Sequence, residues 1–95
     1  MKSTLPTLDL LEKTHAFPCP FVFKVIGKAD QGFLALVLTI VREELTIEFD
    51  PPHHVREAVG GRHVSVTLEP VVQSAQQVLA VYRRLGVLDG LVMLF

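Results

Sequence analysis

Ninety-five residues suffice for one hydrophobic core and leave no chain for a second. With 49% hydrophobic and only 20% charged residues, the chain holds enough apolar material to offset the entropy of ordering, which excludes global disorder. The formal net charge of -1, nine Lys+Arg against ten Asp+Glu, creates no long-range field for a phosphate backbone, so nucleic acid is not an expected partner.

The single cysteine, Cys19, cannot form an internal disulfide. No basic n-region followed by an apolar h-region opens the chain, so a reducing cytoplasm is the expected setting. The longest strongly apolar helical stretch, residues 33–41, is about half of the ~20 residues that cross a bilayer, so no membrane span is expected. Mean hydropathy is nevertheless high for so short a chain, at +0.42. Some apolar surface should therefore be covered by a second copy or another protein, and a homodimer is the expected state.

Residues 1–16 combine Pro6, scattered polar residues and a short apolar run without sustained periodicity. They read as a flexible arm with at most one helical turn, preceding a single domain over 17–95. Pro18 and Pro20 then fix two φ angles and deliver the chain extended into a strand over 21–28. In that strand Phe21, Phe23 and Val25 alternate with Val22, Lys24 and Ile26, which predicts an aromatic core face. Gly27 breaks the alternation, where a missing side chain permits a bulge or a close approach. Asp30 is the predicted N-cap of the following helix, and Gly32 eases the turn into it.

The spacing of Phe33, Leu34, Val37, Leu38, Ile40, Val41 and Leu45 predicts a helix over about 31–45 with a wide apolar arc. Pro51 and Pro52 interrupt any ladder before a second strand over 54–59. The pair Gly60-Gly61 signals a hairpin, and a third strand over 62–69 turns Val64, Val66 and Leu68 inward against His63, Ser65 and Thr67. Pro70 suits the first turn of a second helix carrying Val71, Ala75, Val78, Tyr82 and Leu85, with Arg83 and Arg84 in its last turn and Gly86 past its end. Residues 90–95, GLVMLF, are apolar throughout and read as a strand buried inside a sheet. The order β-α-β-β-α-β predicts an α+β, ferredoxin-like sandwich, a four-stranded antiparallel sheet with two helices on one face.

The stretch FPCPFVFKVIGKA, the hairpin strand with SVT at 65–67 and the terminal LVMLF together resemble the YbeD-like family of small bacterial proteins. The resemblance spans about residues 17–95, its opening segment being the specific part. It implies an ACT-like ferredoxin fold and a cytosolic, non-enzymatic role. Residues 25–37, VIGKADQGFLALV, are also similar to the first strand, turn and helix of ACT regulatory domains, which bind amino acids at subunit interfaces. That similarity implies a ligand turn containing Asp30 and Gly32, with Gln31 standing where a proline is usual.

The turn at Gly27, Lys28, Asp30 and Gly32 is the candidate binding site. Amide groups at a helix start can hold a carboxylate or phosphate, a glycine allows close approach, and Lys28 adds charge. A cap and a turn glycine would suffice to explain the same residues. His53, His54 and His63 could suggest a metal, yet neighbours in a strand point to opposite faces, so solvated histidines are expected. Cys19 lacks a basic neighbour, Ser65 and Thr67 lack a relay, and Glu43-Glu44 reads as a solvated helix face. No cofactor is expected.

The function these features imply is that of a non-catalytic regulatory or adaptor module, homodimeric, binding a small anionic metabolite at the turn. The alternative is a pure protein-interaction adaptor using the edge of the second strand or the apolar arc of the first helix. A small ferredoxin-like enzyme is disfavoured: acylphosphatase-type chemistry needs an asparagine, and the chain contains none.

Overall fold

A computed structural model describes residues 5–30, 32–58 and 60–95. In chain order these form α1 (Leu8–Thr14), β1 (Cys19–Pro20), β2 (Phe23–Lys28), α2 (Phe33–Leu45), β3 (His53–Glu57), β4 (His63–Leu68), β5 (Val71–Val72), α3 (Ala75–Leu85) and β6 (Leu91–Leu94). The architecture is mixed α+β. One antiparallel sheet has the order β3-β4-β2-β6, and β1 pairs with β5 in a separate two-stranded ribbon.

β2 is central and sets the register. Phe23 lies opposite Leu68, Val25 opposite Val66 and Gly27 opposite Val64, so alternate residues of both strands share one inward face. Those side chains are buried, and α2 and α3 cover them with Val37, Val41, Val78, Val81 and Leu85 in one continuous core. Each fully buried Val, Leu or Phe contributes about 1.5–3 kcal/mol, which outweighs the modest strand propensity of any single residue. The other face of the sheet has no layer over it among the described residues.

The helices are also tied to each other. Arg84 Nη1 donates to Glu44 Oε2 at 3.0 Å and Nη2 to Glu43 Oε1 at 2.9 Å, joining the C-terminal ends of α2 and α3. These carboxylates raise the Arg84 pKa above its ordinary value, the hydrogen bond it donates to Glu43 being the larger cause. The acidic pair read as a solvated face is thus an intramolecular partner.

Three expectations are corrected. Residues read as a flexible arm contain α1, whose first turn is capped by Thr7 Oγ1 accepting from the Leu10 amide at 3.1 Å. Leu11 is 2% exposed and joins the core, and α1 packs against α3. Apolar periodicity over so few residues is too weak to separate a docked helix from an arm.

Pro70 and Val71 are not helical. Val71 pairs with Pro20 and Val72 with Cys19, and α3 begins only at Ala75, where Ser74 Oγ accepts from the Gln77 amide at 3.2 Å. The serine cap therefore sets the helix start, and the chain upstream is free to pair. The S-x-x-Q pattern at 74–77 was the available signal.

The segment read as a strand buried inside a sheet is β6, and it forms an edge. Val92, Met93 and Phe95 are 48%, 50% and 54% exposed. Ile26 pairs with Met93 but Gly27 with Leu91, so Val92 is an extra residue opposite the break. That shift lets Leu91 and Leu94 both pack against the core despite their odd spacing.

Candidate functional site

Past Lys28, the last residue of β2, the chain leaves the sheet between two other connections. The Lys28 amide donates to the Gly90 carbonyl at 2.9 Å, and the Ala29 amide donates to the Arg62 carbonyl at 3.0 Å. The turn is therefore stitched to the β3–β4 hairpin on one side and to the α3–β6 connection on the other. Two further amides close it: Asp30 to the Lys28 carbonyl at 2.8 Å, and Phe33 to the Asp30 carbonyl at 3.2 Å.

The four candidate residues divide sharply. Gly27 is buried, and a Cβ built there would come within 2.7 Å of three ring atoms of Phe33. The close approach predicted at Gly27 is made by the protein's own aromatic ring. Lys28, Asp30 and Gly32 are exposed. Around Gly32, by contrast, an added Cβ would meet nothing within 4 Å.

The helix cap differs from expectation. The N-cap of α2 is Gly32, at φ 101°, with no side-chain cap hydrogen bond, so Asp30 is not the N-cap. The strand must reverse through a left-handed residue to enter the helix, glycine takes that conformation without a Cβ penalty, and Asp30 is left outside the first turn. Gln31, named as the departure from the ACT pattern, lies outside the described residues.

The histidines do not converge. His53 Nδ1 donates to the Pro51 carbonyl at 2.8 Å, whereas His54 lies opposite Thr67 and His63 opposite Lys28. Among the described residues no group of three or more His, Cys, Asp or Glu is placed to hold a metal ion. Cys19 is half-buried within the β1–β5 ribbon.

A second surface was not singled out from sequence. Cross-strand register places His54, Thr67 and Lys24 in one row of the uncovered face, with Phe95 exchanging both backbone hydrogen bonds with Lys24. Arg56, Ser65, Ile26 and Met93 form the next row, and His63 and Lys28 the third. The alternation in 21–28 did point Lys24 outward, but placing Arg56 beside it requires knowing the hairpin register.

At the end of the sheet far from the turn, Ile47, Phe49, Pro51, Pro52, Pro70 and Val71 line an open groove of about 460 Å³. No helix among the described residues is long and apolar enough to cross a membrane.

Residues 12–95 match the family described as "Protein of unknown function (DUF493)". The chain belongs to this family. DUF493 relatives include a UPF0250 protein of Vibrio parahaemolyticus, 33% identical over 81 residues that cover 85% of this chain and 82% of that one. UPF0250 proteins of Shewanella woodyi and Shewanella amazonensis are 31% and 30% identical over 74 residues, covering 78% of this chain and 82% of each relative. The DUF493 proteins are the YbeD-like family that the opening FPCPFVF segment resembles. The match begins inside α1 and takes in the turn, the whole sheet and both long helices.

Proposed function

We propose that this DUF493 protein acts by binding rather than by catalysis, as an ACT-like module of ferredoxin-like topology that works as a homodimer in regulation or as an adaptor. The observation that carries the reading is the unequal guarding of the two sheet edges. β3 presents His53, His54, Arg56 and Glu57 after two prolines, a composition that discourages pairing with another strand. β6 presents Leu-Val-Met-Leu with no charge and no proline. Because Phe95 exchanges its backbone bonds with Lys24, strand alternation turns the amide and carbonyl of Leu94 toward the open side. An antiparallel pair of β6 strands about a two-fold axis would satisfy those groups and cover Val92 of each copy.

Sedimentation equilibrium tests this reading. The protein is expected at twice its 10.6 kDa chain mass, and Val92→Lys is expected to shift it to the monomer without lowering Tm below that of the dissociated parent. A parent protein that remains monomeric across the concentration range overturns it.

A second reading keeps the small anionic metabolite at Lys28, Asp30 and Gly32, favoured by the open space around Gly32. Gly27 supports that corner from beneath rather than lining it. Gly32→Ala is a poor probe of binding, because a left-handed φ costs an L-residue about 1–2 kcal/mol even where nothing clashes. That loss is expected in urea titrations with no ligand present. Lys28→Gln is the informative variant: in a thermal-shift series with inorganic phosphate and small dicarboxylates, it should erase any stabilisation the parent shows. Stabilisation that survives Lys28→Gln excludes this corner.

A further inference from the structure

The uncovered face of the sheet carries a charge imbalance that the net charge of -1 conceals. All ten Asp and Glu side chains of the chain fall among the described residues, and none lies in the three outward rows of the sheet; Glu69, one residue past β4 and beside His54 and Thr67, borders the face at one end. The face instead holds Lys24, Lys28 and Arg56, together with His54 and His63. None of the three permanent cations has an ion-pair partner among the described residues, although carboxylates elsewhere engage Lys13, Arg42 and Arg84. The three cations are exposed, and they outnumber the one carboxylate at the border of the face.

Between these charges lies an uncharged centre. Ile26 separates Lys24 from Lys28 along β2, about 7 Å from each, and Ser65 and Met93 flank it on the neighbouring strands. Arg56 stands two strands away, about 10 Å from Ile26. We infer that this face docks an acidic segment of a partner protein, one whose carboxylates bracket an aliphatic side chain. An extended segment with acidic, aliphatic and acidic residues at alternate positions matches the spacing Lys24, Ile26, Lys28, since its same-side residues also recur every ~7 Å.

A nucleic acid strand fits less well. Sheets that bind single strands offer aromatic side chains on their central strands for bases to stack on, whereas the outward positions of β2 and β4 are Lys24, Ile26, Lys28, His63, Ser65 and Thr67. The single phenylalanine on this face, Phe95, is at the edge. The assignment rests on the reading of the protein as a binding module, and extends it from self-association to the class of partner.

The test is fluorescence anisotropy on the full chain with a labelled peptide of repeated Glu-Ser-Leu-Ser, its Gln-Ser-Leu-Ser counterpart and an oligouridylate of equal charge. The acidic peptide is expected to bind, and to weaken as salt rises from about 50 to about 300 mM. Lys24→Glu with Arg56→Glu should weaken it by about tenfold or more, with the milder Lys24→Gln and Arg56→Gln pair in between. Both variants avoid the Lys28 corner and β6, so sedimentation and metabolite shifts remain as in the parent. Failure of dimer formation would therefore be seen separately from failure here. No binding of the acidic peptide, equal binding of the glutamine peptide, tighter binding of the oligouridylate, or indifference to the charge reversal each overturns the inference.

Discussion

Replacing Gly27 by alanine is expected to lower stability by about 2–3 kcal/mol, a fall in Tm on the order of 10–20 °C for a chain of this size. Gly27 is a β2 residue on the core face, and the Phe33 ring occupies the volume its side chain would fill. Phe33 is 4% exposed at the start of α2, so its ring has no solvent to swing into. The added methyl must displace either the ring or the strand, and the strand is held by β4 on one side and β6 on the other.

The cause is separable from ordinary overpacking by a double-mutant cycle. Phe33→Leu alone opens a void and should cost about 1–3 kcal/mol, but in the Gly27→Ala background it relieves the clash. Chemical denaturation should therefore show the double variant more stable than the sum of the two single losses, by about 1 kcal/mol or more. Simple additivity would mean that Phe33 does not fill the space over Gly27.

Phe23→Ala is expected to cost about 3–5 kcal/mol, a large part of the ~5–15 kcal/mol typical of a folded domain. Phe23 is 0% exposed and lies opposite Leu68 at the first pair of the β2–β4 ladder. Its ring meets Tyr82 of α3 edge-on at 5.1 Å and Phe21 at 5.0 Å, and Phe21 meets His15, the residue that ends α1, at 5.2 Å. The ring thus connects the central strand to α3 and, through Phe21, to the amino-terminal helix. Burial pushes the Tyr82 phenol up from its ordinary pKa, consistent with a ring held inside this cluster.

Circular dichroism with urea should show the midpoint of Phe23→Ala shifted strongly, and limited proteolysis should cut within residues 5–16 before the rest. Phe23→Leu, which retains most of the apolar volume, should lose much less. A loss under about 1 kcal/mol for the alanine variant would show that the site collapses around the void and that the cluster is not an anchor.

How much of this was legible in the sequence follows from the range over which each signal acts. Alternation in 21–28 and 62–69 placed Phe23, Val25, Val64, Val66 and Leu68 inward, because burial of one sheet face imposes a period of two on the residues themselves. The helix read over about 31–45, which spans Phe33–Leu45, and the Gly60-Gly61 turn were equally local: both glycines take positive φ, 92° and 69°.

What escaped depends on pairing across the chain. Cys19 and Pro20 acquire a partner only when Val71 and Val72 lie beside them, and no pattern within FPCP announces that. Val92, Met93 and Phe95 are as apolar as core residues, so their place at an edge could not be told from burial. At the candidate corner, Gly27, Lys28, Asp30 and Gly32 read as a site from residue type, from their place before a helix and from the likeness to ACT domains. That Gly27 serves Phe33 depends on how α2 folds back over β2.

The β1–β5 ribbon gives the lone thiol an unplanned use. Cys19 is half-buried against the core where the amino-terminal segment is zipped to the entry of α3, so a large alkylating reagent is expected to reach its sulfur faster when Cys19 and Pro20 part from Val72 and Val71. Alkylation at Cys19 faster than global unfolding would accordingly report the breathing of one small latch while the main sheet is intact.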